Sequence, residues 1–281
     1  NLNMQGQNWT NYIMKIGIIG YGVVGKAADN TFSKVYDTVK YDKFQDLDAF
    51  DSLLGCDFVF IMVPTPFDCE KNEVNQEAII ESLSRLESIN YQKIVIIKST
   101  VPPGSCTSYS ERFNLKVVFN PEFLRESTTP NEDFENQDTI VIGTDSRADF
   151  DLVKEMYQKV TVSHAKYYHT SSSEAEMIKT AQNTMLASRV AIANMIYDAC
   201  QNNNINYDKI KKIAFDNFEI LGPHMVQVPG PDGSRGFGGK CLPKDIRAFS
   251  TVYESDLLRE IINYNDSLRD DLDNFLINYK K

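Results

Sequence analysis

The sequence predicts an α/β fold, a parallel sheet in the N-terminal part followed by an all-helical part. Three observations carry this. Short apolar runs of strand length alternate with segments of helical spacing up to residue 143. The first such run leads directly into a glycine-rich turn. Beyond about residue 170 the strand-like runs stop and long helical stretches take over.

Lys15–Ile19 reads as a short buried strand, and the helix after the glycine turn runs from about Gly25 to Phe32. Thr38–Tyr41 is the second strand. Asp57–Val63 (DFVFIMV) is a continuous apolar run bounded by turn signals, as expected of a parallel strand buried on both faces. Asn75–Ile89 has helical spacing, and Lys93–Lys98 (KIVIIK) and Lys116–Phe119 (KVVF) are further strands. Thr139–Gly143 (TIVIG) is expected to be the last. Strands separated by helices imply right-handed crossovers. Ser173–Cys200 is a long helix, for which Ser173 and Glu176 form a candidate capping box. Tyr207–Phe215 is a shorter helix, Pro223–Lys244 is a loop rich in Gly and Pro, and helix resumes at Asp245. This divides the chain into a polar leader (residues 1–13), a sheet domain (14–170) and a helical domain (171–281).

Hydrophobic residues make up 42% and charged residues 24% of the 281 residues, enough for a sizeable core. The net charge of −10 argues against nucleic-acid binding, because an acidic surface repels phosphate backbones. It leaves room for a small anionic ligand held by local backbone dipoles. No apolar run reaches about 18 residues, so no membrane span is expected. The five cysteines are scattered, odd in number and without a CxxC pair. That pattern argues against a disulfide framework and a metal site and suits a reducing cytoplasm. His164, His169 and His224 form no catalytic constellation and are expected to be structural.

Gly20-Tyr21-Gly22-Val23-Val24-Gly25 is a GxGxxG between strand and helix, the context that makes this motif meaningful. Gly20 permits the tight turn, Gly22 lets the backbone approach a pyrophosphate, and Gly25 lets helix and strand pack closely. The sheet domain is therefore expected to be of Rossmann type. Asp42, at the end of the second strand, is placed to accept hydrogen bonds from ribose hydroxyls and to repel a 2′-phosphate. This favours NAD over NADP, although the neighbouring Lys43 works in the opposite direction.

The second motif is Gly236-Phe237-Gly238-Gly239-Lys240-Cys241-Leu242-Pro243-Lys244-Asp245. Its glycines let a loop fold closely around a ligand. A thiol near a cation and a helix start has a lowered pKa, which makes Cys241 the candidate nucleophile. Thiolate attack on an aldehyde gives a thiohemiacetal, and hydride loss from it gives a thioester that water hydrolyses.

The GFGGKCLPKD segment and the GYGVVG turn resemble the UDP-glucose/GDP-mannose dehydrogenase family. Val63-Pro64-Thr65-Pro66, Ser99-Thr100-Val101-Pro102-Pro103-Gly104 and Asn120-Pro121-Glu122-Phe123-Leu124-Arg125-Glu126 match further family motifs in the same order. The resemblance implies two successive NAD-dependent oxidations of a nucleotide sugar, from alcohol to carboxylate, in a homodimer. It implies that Lys179 and Asn183 contact the reacting sugar; their i, i+4 spacing puts both on one helix face. It makes Glu122 an acid/base carboxylate, places Glu126 near nicotinamide and substrate, and pairs Thr100 with Asp245 around a catalytic water. Phe123, Leu124, Phe237 and Gly238 would line the nucleotide-sugar site, and Thr65 and Lys244 would contact NAD.

UDP-glucose, oxidised to UDP-glucuronate, is the substrate the resemblance favours. UDP-N-acetylmannosamine and GDP-mannose are the alternatives, and a non-catalytic NAD-binding role is the competitor from another class. The sequence departs from the family in three places. The family's usual third, C-terminal domain has no counterpart in these residues. Ile220 and Leu221 stand where many relatives carry an arginine that reaches the partner's substrate, leaving Arg235 as the substitute. Asn194-Met195 stands where relatives often have Asn-Glu.

Overall fold

The computed structural model describes residues 13–68, 73–124, 129–215, 217–218, 233–235, 237 and 254–269; within the long helix, the side chains of 184–191, 193–195 and 198 lie outside this description. The chain forms two units, Asn1–Thr184 and Met185–Lys281.

The first unit is built on a seven-stranded sheet. Its strands are β1 (Lys15–Ile19), β2 (Asp37–Tyr41), β3 (Phe58–Ile61), β6 (Ile94–Ile97), β7 (Lys116–Phe119), β8 (Thr139–Gly143) and β9 (Lys166–Thr170). A separate two-stranded hairpin, β4 (Phe67–Asp68) and β5 (Glu73–Val74), follows the Val63–Pro66 turn. In the order β2-β1-β3-β6-β7 all pairings are parallel. Every residue of β3 and β6 is buried, because helices cover both sheet faces. One core layer contains Leu53, Ile79, Leu83 and Ile97. The other contains Ile18, Ala28, Phe32, Phe60 and Tyr157.

The helices of this unit are α1 (Val23–Phe32), α2 (Glu77–Ser88), α3 (Ser105–Arg112), α4 (Pro130–Glu135), α5 (Arg147–Gln158) and the start of α6 (Ser172–Asn202). In α1 the residues Gly25, Ala27, Ala28, Thr31 and Phe32 are buried, and their small size near the N-terminus lets the helix lie close to β1.

Two expectations need correction. Thr139–Gly143 is not the last strand: β9 pairs parallel to it, and β8 meets β7 in the antiparallel sense at Phe119 and Gly143. The sequence of β9, KYYHT, contains no buried residue, so it lacks the apolar run by which the other strands are recognised. The α6 capping box is not Ser173 with Glu176. Ser171 accepts from the Glu174 backbone N–H (3.3 Å) and donates its own N–H (2.8 Å) and hydroxyl (2.9 Å) to the Glu174 carboxylate. Glu176, fully buried, turns to α3 instead, accepting from the backbone N–H groups of Gly104 (2.5 Å) and Cys106 (2.8 Å). It satisfies donors that the start of α3 would otherwise leave orphaned.

In the second unit, α7 (Tyr207–Ala214) is capped by the Asn206 side chain and α8 (Asp256–Ser267) by Ser255. Buried Asn265 of α8 accepts from the Phe237 backbone N–H at 2.7 Å. The expected loop Pro223–Lys244 and the helix start at Asp245 lie largely outside the described residues. No helix among the described residues is long and apolar enough to cross a membrane.

Candidate dinucleotide and substrate site

The glycine turn closes the carboxyl end of β1. Gly20 has φ +92°, a conformation that side chains disfavour, and a Cβ there would lie 2.5 Å from the Met62 carbonyl oxygen. A Cβ on Gly25 would lie 2.1 Å from the Gly20 carbonyl oxygen, so this glycine allows the turn and helix to touch. Gly22 is different: a Cβ there would meet nothing within 4 Å. Two glycines thus serve the fold, and the third keeps backbone open to an incoming ligand. Helix α1 starts at Val23, and its first N–H groups form an anion-binding end.

A cleft of about 370 Å³ opens here, lined among others by Gly20, Gly22, Val23, Val24, Asp42 and Arg85. It lies at the carboxyl ends of β1, β2 and β3, where open α/β sheets bind ligands. Asp42 is fixed at its edge: one oxygen accepts from Tyr21 N–H (2.8 Å), the other from Phe44 N–H (2.9 Å). Partial burial pushes the Asp42 carboxyl upward, but these donors, Gln45 and Lys26 outweigh it and hold the pKa below the ordinary value. Lys43 also lines the cleft, with its ammonium 2.8 and 2.9 Å from the two Glu81 oxygens. The Arg85 guanidinium lies 3.8 Å from the Phe50 ring centroid and donates to the Tyr41 hydroxyl at 2.5 Å. Tyr21 contributes through its backbone; its hydroxyl donates to Asp29 at 2.5 Å. The open Gly22, the free helix end and the anchored carboxylate fit a dinucleotide.

A second cluster sits further along the same sheet edge. Lys98 follows β6 and Asn120 and Glu122 follow β7, so the parallel register brings all three together. One Glu122 oxygen, Oε1, accepts from the backbone N–H groups of Phe123 (2.8 Å) and Leu124 (3.0 Å). The other, Oε2, forms an ion pair with the Lys98 ammonium at 3.0 Å. The ammonium of Lys179, from α6, stands 5.3 Å from the centroid of the Phe123 ring. Burial lowers the Lys179 pKa, the Glu122 charge opposes this, and Lys98 lowers it further. Thr65 donates to the Thr100 carbonyl at 2.8 Å, tying two of the expected loops together.

The structure therefore gathers Glu122, Phe123 and Lys179 in one cluster, with the Thr65–Thr100 pair joining the loops after β3 and β6. Asn183 is exposed on α6, one turn beyond Lys179. Arg235 is exposed and Phe237 half-buried in the second unit. Glu126, Gly238, Cys241, Lys244 and Asp245 lie outside the described residues, as do Cys69 and His224. Cys56, Cys106 and Cys200 are free and buried. Burial, with the Asp57 charge next in weight, pushes the Cys56 thiol up to about 11. His169 stacks on Phe150 and lies 2.9 Å from the Thr144 carbonyl, a structural setting. Sequence reading missed Lys98, Asn120 and Tyr157 as site residues. At the end of KIVIIK, Lys98 looks like an ordinary strand-end surface charge, and only the tertiary fold buries it.

A parallel sheet with this turn, helix end and strand-edge cleft defines a dinucleotide-binding domain. Two family models match the chain: the UDP-glucose/GDP-mannose dehydrogenase family NAD-binding domain over residues 29–161, and that family's central domain over 173–267. The chain belongs to the UDP-glucose/GDP-mannose dehydrogenase family and carries its NAD-binding domain. It is 32% identical over 227 residues to the UDP-glucose 6-dehydrogenase of Rickettsia felis, covering 76% of this chain and 49% of that protein. Against the Campylobacter jejuni UDP-glucose 6-dehydrogenase it is 30% identical, covering 77% of this chain and 54% of the relative. The chain thus spans about half the length of the curated relatives it matches. The fold is shared with the GDP-mannose dehydrogenase of Pseudomonas aeruginosa, solved as a ternary complex, at TM-score 0.74 and 22% identity over 91% of this chain and 69% of that one.

Proposed function

We propose that this chain forms the NAD-binding and sugar-oxidising parts of a nucleotide-sugar dehydrogenase, with UDP-glucose as the preferred substrate and UDP-glucuronate as product. The observation that carries the reading is the Lys179 ammonium standing over the ring of Phe123, the residue whose N–H holds Glu122, at the strand edge that also bears the open glycine turn. The 32% identity to a UDP-glucose 6-dehydrogenase supports the choice of sugar.

In this reading the α1 N-terminus and Gly22 hold the pyrophosphate of NAD, and Asp42 holds the ribose. Thr65, Glu126 and Lys244 make the remaining cofactor contacts assigned by the family match. When bound, NAD supplies the hydride acceptor for each of two oxidations. Asp245 and a nearby water take the proton from the C6 hydroxyl in the first. The Cys241 thiolate then adds to the aldehyde carbon. Lys179, as an ammonium, and the Asn183 amide stabilise the oxyanion of the thiohemiacetal. Hydride loss from this adduct leaves a thioester on Cys241. Water positioned by Thr100 and Asp245 attacks the thioester carbon and gives one proton to Glu122 Oε2; the C–S bond breaks, Cys241 leaves as the thiolate, and the uronic acid departs as its carboxylate with its own proton lost to water. Phe123, Leu124, Phe237 and Gly238 shape the sugar site, and Arg235 takes the place of the arginine other members carry. A homodimer in the cytoplasm is the proposed setting.

The test is a panel of UDP-glucose, UDP-N-acetylmannosamine and GDP-mannose with NAD, read as NADH formed per sugar consumed. Two NADH per UDP-glucose are expected, with Cys241→Ser unable to complete the second oxidation. Wild-type conversion of alcohol to acid by Cys241→Ser would remove the thioester. NAD binding without turnover of any sugar would leave a binding role only.

A further inference from the structure

Lys98 has no part in the reading above, yet its side chain is fully buried at the carboxyl edge of the sheet. A buried ammonium is costly unless its protons find acceptors and an anion stands close by. Both conditions are met. Asn120 Oδ1 accepts from Lys98 at 2.9 Å, and Glu122 Oε2 lies at 3.0 Å. Tyr157, from α5, donates its hydroxyl proton to the same Asn120 oxygen at 2.5 Å, and its own oxygen lies 3.5 Å from Lys98. The Asn120 amide donates to the Val141 carbonyl of β8 at 2.7 Å, which fixes the oxygen of that side chain toward the amine. The rings of Phe134 and Tyr157 face the amine with centroids at 5.3 and 5.9 Å. Burial holds the Lys98 pKa below the ordinary value; the Glu122 charge opposes this, and the Asn120 oxygen and the rings of Phe134 and Tyr157 also favour the charged form.

We propose that Lys98 is a positioning residue: an ammonium held beneath Glu122, it fixes that carboxylate and the local charge that Lys179 meets. This inference rests on the reading of Glu122 and Lys179 as substrate-handling groups; Lys98 itself need not touch substrate. Among the described residues, the groups that act on Lys179 are Glu122 and Phe123 from the loop after β7 and Lys98 from the end of β6. Glu176, on the same helix, is turned to α3. Burial lowers the Lys179 pKa, Glu122 raises it and Lys98 lowers it. Removing the Lys98 charge therefore makes Lys179 keep its proton to higher pH, and removing the Glu122 charge does the reverse. A Lys98 that acted only through packing would leave the Lys179 midpoint where it is when its charge is removed.

The experiment is an NMR titration of the full chain labelled at the lysine ε-carbons, from neutral to strongly alkaline pH. The Lys179 midpoint is expected to rise by about 0.5–1 pH unit in Lys98→Met and to fall by a similar amount in Glu122→Gln. An unmoved or lowered midpoint in Lys98→Met overturns the proposal. The wild-type spectrum is a second test that needs no variant: Lys98 must remain an ammonium while Lys179 titrates, and a neutral Lys98 overturns the proposal. Turnover separates the two readings. Wild-type rates in Glu122→Gln would sink the functional reading and the positioning role with it. An inactive Glu122→Gln with an unmoved Lys179 midpoint in Lys98→Met would sink this inference alone.

Discussion

Substituting the three glycines of the turn one at a time by alanine separates fold from function. At Gly25 the new methyl would sit 2.1 Å from the Gly20 carbonyl oxygen, and that neighbour is backbone, which cannot rotate away. Relieving it requires a shift of about 1 Å between α1 and β1, at a cost of about 3 kcal/mol, the upper end of ordinary overpacking. At Gly20 the φ of +92° adds about 1–2 kcal/mol of backbone strain to a 2.5 Å approach to the Met62 oxygen, for a total of about 3 kcal/mol. At Gly22 the φ of −80° is ordinary and the methyl meets nothing within 4 Å. The stability cost there is only the poorer helix start, about 0.5–1 kcal/mol. That methyl would stand where a pyrophosphate must approach, so NAD affinity should fall at least about tenfold, or 1.4 kcal/mol. Urea denaturation gives the stabilities and NAD titration calorimetry the affinities. A Gly22→Ala protein that binds NAD as wild type, or a Gly25→Ala protein as stable as wild type, would refute this division of labour.

Three further outcomes are expected. Glu176→Ala removes the acceptor from a buried N–H group (Cys106) and a part-buried one (Gly104) at the start of α3 and should cost about 2–3 kcal/mol, read as a lower urea midpoint at unchanged m-value; a shift below about 0.5 kcal/mol would count against the cap. Glu81→Gln frees Lys43 at the cleft edge, and NADP affinity should rise about two- to fivefold, the range of a surface ion pair, with NAD affinity little changed; unaltered NADP binding would show that Lys43 does not reach the ribose. Asp42 has a depressed pKa in the folded chain, so its contribution to stability is present above the ordinary aspartate range and is lost as pH falls through the lowered folded value. Asp42→Asn should therefore flatten the stability profile below about pH 4, as followed by circular dichroism, and an unchanged acid limb would contradict the assigned hydrogen bonds.

The strands most legible in the sequence are those buried on both faces. β3 and β6 are apolar at every position, so their sequences announce strands without any knowledge of neighbours. The glycine turn is legible for a different reason: the positive φ at Gly20 and the contact of Gly25 with the Gly20 carbonyl are set within six residues of chain, whereas the approach of Gly20 to Met62 comes from the fold. β9 was missed because its residues are exposed or half-exposed, and its strand conformation comes from the β8 ladder alone. The α6 cap was misplaced by two residues because Ser171/Glu174 and Ser173/Glu176 satisfy the same local pattern. Only the position of α3 decides which glutamate turns back and which turns away.

The sequence by itself determined the sheet domain, its glycine turn, Asp42 at the second strand and the order of motifs that carry Glu122 and Lys179. These depend on contacts between near neighbours or on residue types that few backbones demand. Only the tertiary structure decided that Lys98, Asn120 and Tyr157 form a buried group beneath Glu122. Those residues are up to 59 positions apart in the chain, and they meet because the parallel register of β6 and β7 aligns their ends while α5 packs across them. A strand-end lysine has the same letter whether it faces water or a carboxylate, and burial, which gives it a chemical role, is a property of the assembled layers.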